Sequence, residues 1–186
     1  MSSDPTPGAA VPGDPPADPP SAGGRPSALV VTVSTRAAAG VYPDQAGPVL
    51  VAGLTELGCA TDGPRVVPDG EQVTRVLRDG IAHGYHLIVT SGGTGVTPAD
   101  RTPEATLPLL DYEIPGIAER LRGYGVENGV PAAMLSRGRA GVAFGPGRAT
   151  LVVNLAGSRG AARDGLAVLG SVLSHALDQL AGGDHR

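Results

Sequence analysis

Apolar positions follow two rhythms along this chain. The first is the short unbroken run, "ALVVTVS" at 28–34 and "YHLIVTS" at 85–91, with a weaker run near 65–67 in "ATDGPRVVP". Runs of this length, apolar on successive residues and therefore on both faces, predict strands in the interior of a sheet. The second rhythm repeats every three or four residues and predicts helices. Val49, Leu50, Leu54 and Leu57 form one stripe in 44–58, with Gly58 as a stop, and Val73, Val76, Leu77 and Ile81 form another in 69–84. A longer stripe of Ala162, Leu166, Leu169, Leu173, Ala176, Leu177 and Leu180 predicts one closing helix. Shorter helices are predicted over 102–110, 114–125 and 130–137, the first with Thr102 as N-cap and Pro103 at N1. The stretch "AGVAFGPGRATLVVNL" at 140–155 reads as a hairpin turned at "GPGR". Strands alternating with helices predict an α/β layer fold on a mostly parallel sheet, with the β-hairpin near its C-terminal end.

The first 27 residues carry neither rhythm. They are rich in Pro, Gly, Ala and Asp, with little to bury, so residues 1–27 are expected to be a disordered tail and 28–182 the domain. Aromatic residues make up only 3% of the chain, so the core must be aliphatic. A net charge of −4 argues against a general nucleic-acid binder. No apolar run has transmembrane length, and the N-terminus lacks the charged and apolar regions of a signal peptide, so the expected compartment is the cytoplasm. Cys59 stands alone, which rules out a disulfide framework within the chain.

Every basic side chain is Arg and none is Lys, which excludes a lysine Schiff base and a Walker-type phosphate loop. The four histidines have no zinc spacing, no Gly-x-Ser-x-Gly elbow occurs, and the first strand is not followed by Gly-x-Gly-x-x-Gly.

What remains is "TSGGTGVTPADRTPEAT" at 90–106. In open α/β folds ligands gather beyond the carboxyl ends of the strands, and this stretch leaves one. Gly92, Gly93, Thr94 and Gly95 can make either a tight strand-to-helix turn or a backbone nest for an anion. Glu104, in the first predicted helical turn, suits the helix dipole. Asp100 is harder to place: a carboxylate beside an anion nest repels the same ligand unless a cation lies between them. Mg²⁺ binds in that manner, through one or two carboxylates plus substrate phosphates. Asp69 in "VVPDGEQV" is a second carboxylate at a strand exit, read either as an N-cap or as part of the same edge. At the third exit, Asn154, Gly157 and Ser158 either cap the last helix or offer neutral donors to a ligand.

Taken in order, "VVTVSTRAAAGVYPDQAGPVL", "VVPDGEQV", "IVTSGGTGVTPADRTPEAT", "IPGIAERLR", "AMLSR" and "VVNLAGS" resemble the MoaB/Mog proteins of molybdenum cofactor biosynthesis over essentially all of 28–180. The "VSTR" block, with Ser34, is closer to the MoaB form. The resemblance implies a three-layer α/β/α sandwich, usually assembled as a homotrimer. It implies Mg-ATP-dependent adenylylation of molybdopterin with release of pyrophosphate, and hand-over of the product to a molybdate-inserting protein. The family's catalytic and metal-binding carboxylates fall on Asp69 and Asp100. Its ligand-binding positions fall on Ser34, Gly92, Gly93, Thr94, Gly95, Thr102, Glu104, Asn154, Gly157 and Ser158.

This chain departs from the family pattern at several places. Ala99 stands where an Arg is usual before the aspartate, and Arg101 follows it; in an extended segment the two would share a side, letting Arg101 replace the missing guanidinium. Ala46 replaces a Ser, and Ala156 and Arg159 replace two prolines. These changes leave a second reading, a molybdopterin-binding or delivery protein of the same fold without turnover.

Overall fold

The computed structural model describes residues 24–182. Strands β1 (Ser27–Val33), β2 (Ala60–Val67), β3 (Leu87–Ser91), β4 (Tyr112–Glu113), β5 (Ala140–Gly145) and β6 (Arg148–Leu155) form one sheet in the order β2-β1-β3-β6-β5-β4. β1, β2, β3 and β6 run parallel, while β5 and β4 add antiparallel at one edge. The helices are α1 (Thr35–Ala38), α2 (Gly47–Glu56), α3 (Glu71–His83), α4 (Thr102–Thr106), α5 (Pro115–Glu127), α6 (Arg159–Gly170) and α7 (Leu173–Leu180). Single 3₁₀ segments follow α4 at Leu107–Leu109 and α5 at Pro131–Leu135.

Side-chain alternation along the buried strands divides the interior into two layers. Leu29, Val31, Ile88 and Val152 point to one face and pack on Val73 and Leu77 of α3 and Ala105 of α4. Ala28, Val30, Leu87, Val89, Leu151 and Val153 point to the other, onto Leu50 and Leu54 of α2, Ala162 and Leu169 of α6, and Leu173 and Leu177 of α7. The expected three-layer α/β/α architecture and its hairpin are therefore present. β5 and β6 turn at Pro146-Gly147, where Gly147 takes φ +86°.

Several elements differ from expectation. β2 begins at Ala60, well before the predicted run, because it is a half-exposed edge strand whose polar Thr61 and Asp62 carry no apolar rhythm; parallel pairing with β1 makes it a strand. The closing stripe is two helices, not one. The hydroxyl of Ser171 donates to Val168 O (2.7 Å), and the N–H groups of Ser171 and Val172 reach only three residues back, to Val168 and Leu169. α1 and β4 carry no sequence signal, being four and two residues long.

The segment expected to be a tail lies outside the described residues as far as 23. Its last residues belong to the fold. Arg25 donates to the carbonyls of Thr55, Gly58 and Cys59 behind α2, and Ser27 opens β1.

At the opposite end from the cleft described below, His86 accepts the Ser27 N–H on Nδ1 (3.1 Å) and lies against the Arg148 guanidinium. Burial first, and then Arg148, holds its pKa below the ordinary histidine value. The unfolded chain therefore takes up a proton before the folded one does. Stability from this site is full above about pH 7 and declines as the pH falls through about 6.5 toward the lower folded value. Melting temperature is expected to drop between about pH 7 and 5, with a shallower drop in His86→Gln; equal slopes in the two proteins would show that His86 carries no such linkage.

Candidate functional site

β1 lies between β2 and β3, so the chain builds outward on one side of β1 and then returns to the other. Loops leaving such a pair diverge, and the crevice between them is where an open α/β sheet takes its ligand. A cleft of about 1090 Å³ opens here. Ser34, Asp69, Gly92, Gly93, Thr94, Gly95, Asp100, Asn154, Gly157 and Ser158 all line it, drawn from the exits of β1, β2, β3 and β6.

The glycine loop is shaped by close approach. Gly92 has φ +111°, and a Cβ there would stand 2.1 Å from Val33 O. Gly93 has φ +63°, and its Cβ would meet the Thr102 hydroxyl at 2.4 Å and Asp69 Oδ1 at 2.8 Å. A Cβ on Gly95 would meet Asp100 Oδ2 at 2.8 Å. The two carboxylates thus flank the loop backbone, Asp69 against Gly93 and Asp100 against Gly95, at positions where only hydrogen leaves room.

Neither carboxylate is a helix cap. The N-cap of α3 is Gly70, and Asp69 instead accepts the Thr35 hydroxyl on Oδ2 (2.7 Å), which ties the β2 exit to the β1 exit. Asp100 accepts the Thr97 hydroxyl (2.6 Å) and N–H (3.0 Å) on Oδ2, closing a turn within its own loop. The Thr97 hydroxyl is the main reason that its carboxyl sits below the usual range, with the Thr97 and Gly95 N–H groups and Arg137 assisting against burial.

Several residues predicted to touch a ligand serve the scaffold. Thr102 is not the N-cap of α4; Arg101 holds that position. Thr102 is buried as the first helical residue, and its hydroxyl donates to Gly92 O (2.9 Å), a carbonyl beyond the end of the strand ladder. Glu104 does not line the cleft and pairs with Arg137 on the outer side of the loop. Asn154 is buried, with its amide spent internally: Nδ2 donates to the Thr90 (3.0 Å) and Thr106 (3.1 Å) hydroxyls, and Oδ1 accepts Arg139 N–H (3.1 Å). Ser158 caps α6 by accepting Ala161 N–H (3.0 Å), and Ser34 caps α1 by accepting Ala37 N–H (3.2 Å) while touching Tyr42 Oη (2.9 Å). Gly157 packs against Gly92, setting the β6 exit against the glycine loop.

Arg101 is not among the residues that line the cleft. The segment turns rather than extends, with Asp100 N–H bonded to Thr97 O (3.1 Å). Cationic groups come from elsewhere. Arg36, Arg122 and Arg159 line the cleft, as does Tyr42, whose ring carries the Arg36 guanidinium at 5.1 Å. Arg122 lies on α5, which packs on the 3₁₀ segment Pro131–Leu135 and on α6, and this packing brings it to the cleft edge.

Among the described residues no group of three or more His, Cys, Asp or Glu side chains is placed to hold a metal ion. The carboxylates beside the glycine loop, Asp69 and Asp100, stand apart from each other, and Asp44 and Asp164 also line the cleft. That does not make a protein cage, but it suits a hard cation that completes its shell with substrate phosphate oxygens and water.

Residues 29–175 match the family described as "Probable molybdopterin binding domain". A molybdenum cofactor biosynthesis bifunctional protein of Chlorobaculum tepidum is 35% identical over 161 residues, covering 86% of this chain and 50% of that protein. The chain thus spans about half the length of that relative. The molybdopterin adenylyltransferase of Pyrococcus furiosus is 36% identical over 149 residues, 80% of this chain and 87% of its own. The solved structure of the molybdopterin biosynthesis Mog protein from Mycobacterium ulcerans superposes with a TM-score of 0.78 at 46% identity, covering 85% of this chain and 98% of that one. The structure of the molybdopterin biosynthesis enzyme MoaB from Thermus superposes with a TM-score of 0.71 at 39% identity, covering 86% of this chain and 99% of that one. Family match, relatives and superposition agree across the whole domain: this chain belongs to the MoaB/Mog family of molybdenum cofactor biosynthesis proteins.

Proposed function

We propose that the protein adenylylates molybdopterin, using Mg-ATP and releasing pyrophosphate. One observation carries the reading: two carboxylates, Asp69 and Asp100, border a glycine loop in a cleft that also presents three arginines. A purely anion-binding cleft has no use for the carboxylates, and a purely cation-binding one has no use for the arginines. The relatives named molybdopterin adenylyltransferase support the same reading.

In this reaction an oxygen of the pterin's terminal phosphate attacks the α-phosphorus of ATP. A new P–O–P linkage forms, the bond to the β-phosphate oxygen breaks, and pyrophosphate leaves with that electron pair. No proton needs to be removed from an ionised phosphate, so the protein's task is positioning and charge neutralisation. Arg36, Arg122 and Arg159 bring positive charge to the phosphates, which is how a chain without Lys can do this chemistry. The absence of a Cβ at Gly93 and Gly95 lets Asp69 and Asp100 lie close against the loop backbone, beside the phosphates that the loop would take. Asp69 and Asp100 would hold Mg²⁺, which when bound offsets the charge of the triphosphate.

Purified protein with molybdopterin and Mg-ATP is expected to release pyrophosphate stoichiometrically with adenylylated pterin. Pterin binding by calorimetry without pyrophosphate release would establish the alternative, a binding or delivery protein. The family resemblance also leads us to propose a homotrimer that acts in the cytoplasm and passes its product to a molybdate-inserting protein; a monomeric mass by light scattering would remove the first of these.

A further inference from the structure

The stretch from Gly95 to Arg101 bears one of the two carboxylates, yet little of it is buried. Val96, Thr97, Pro98 and Ala99 are all exposed, Val96 by 66%. A segment with so few apolar contacts opens easily unless something ties it down. Its internal turn, Asp100 to Thr97, shapes the tip but does not fasten it to the body of the domain.

One side chain makes that attachment. Arg137 donates Nε–H to Gly95 O (2.8 Å) and Nη2–H to Asp100 O (2.6 Å), and its Nη1 pairs with the Glu104 carboxylate. A single planar guanidinium therefore grips the first residue of the loop, its last carboxylate-bearing residue and the helix that follows. The base from which it reaches is itself fixed. Arg137 N–H donates to Thr94 O (2.8 Å), the Ser136 hydroxyl donates to Thr94 Oγ1 (3.2 Å), and Gly138 lies so close to Asn154 O that a Cβ would stand 2.7 Å from it. Ionic attraction to Glu104 cannot be the main contribution, since both side chains are well over a third exposed and such pairs are weak. The weight falls on the two carbonyl contacts, which need donors at fixed angles in one plane.

We infer that Arg137 is a positioning residue: its guanidinium braces the Gly95–Asp100 loop from behind and holds Asp100 at the cleft wall, without touching the ligand. Arg137 lies more than thirty residues beyond the loop in the chain but directly behind it in space. The inference rests on the proposed reaction only for its effect on turnover; the bracing is a property of the ligand-free protein.

The test separates the two. Backbone hydrogen exchange of ligand-free Arg137→Ala and Arg137→Lys is expected to be at least tenfold faster than wild type at the Thr97 and Asp100 amides, with Val30 and Val89 in the core unchanged. Lysine retains the charge but cannot span both carbonyls and Glu104. Glu104→Gln, which keeps both carbonyl contacts, is expected to leave loop exchange near the wild-type rate. In turnover, both Arg137 variants are expected to lose at least tenfold in kcat/KM for Mg-ATP. Wild-type exchange in Arg137→Ala, or full restoration by Arg137→Lys, overturns the bracing role, the latter because charge alone would then suffice. If Arg137→Ala does not fold, Arg137→Lys decides by the same amides. If the wild type itself releases no pyrophosphate, the proposed reaction fails while the exchange rates still decide the inference.

Discussion

Asp69→Asn and Asp100→Asn are each expected to fold normally and to lower pyrophosphate release by about a hundredfold or more. The expectation rests on what asparagine retains. Asp100 accepts two hydrogen bonds from Thr97 on a single oxygen, and an amide oxygen can accept both. Asp69 likewise accepts the Thr35 hydroxyl on one oxygen, leaving Oδ1 toward Gly93. Each substitution therefore keeps these hydrogen bonds and removes the negative charge, and at Asp100 it also weakens the lesser interaction with the Gly95 N–H. Stability should change by no more than about 0.5 kcal/mol, or roughly 1–2 °C in Tm for a domain this size. Loss of activity with an unchanged Tm would place both carboxylates in the chemistry. A fall of many degrees with nucleotide binding intact would instead make them parts of the scaffold. The low-lying carboxyl of Asp100 adds a second check: it stays ionised at all pH values above the usual carboxylate range, so activity should show no titration from it between about pH 5 and 8.

Gly92→Ala is expected to be the most damaging small substitution in the domain, by about 3 kcal/mol or more, which corresponds to a drop of roughly 6–12 °C in Tm. Two costs combine. The residue has φ +111°, which L side chains rarely adopt, and the added methyl would stand 2.1 Å from the Val33 carbonyl oxygen. That oxygen is backbone at the end of a buried strand and cannot swing aside, so β1 and β3 would have to part where the cleft is built. Gly147→Ala is the matched control. It also has positive φ, but its Cβ would meet nothing within 4 Å, so only the conformational cost of about 1 kcal/mol applies. Thermal melts of the two variants would decide it: if Gly92→Ala cost no more than Gly147→Ala, the close approach would not constrain the loop.

Much of the molecule could be read from its residues because the governing interactions are local or periodic. β1 and β3 are unbroken apolar runs since both of their faces are covered, and α2 and α3 show stripes since only one face is. The glycine loop was visible as a loop because glycines cluster where the backbone must bend and approach other backbone. Asp69 could be found because it follows β2 by two residues, and Asp100 because it stands just past the glycine loop that leaves β3.

Other features depended on partners far away in sequence, and nothing local announced them. Whether Thr102 caps a helix or holds the Gly92 carbonyl depends on where β3 ends relative to α4. Whether Asn154 faces a ligand or binds two threonine hydroxyls depends on Thr106 lying beneath it, 48 residues away in the chain. Arg137 ends a stretch read as a short helix, a pattern that says nothing of its contacts, and its importance comes from three acceptors more than thirty residues earlier. By itself the sequence determined most of the strands and helices and the strand exits at which the glycine loop, Asp69 and Asp100 lie, because burial and turn geometry leave their mark on neighbouring residues. Only the tertiary structure decided which polar side chains are spent on the scaffold and which face the cleft, because hydrogen-bond partners are chosen by distance in space, and the sheet brings together residues that the chain keeps far apart.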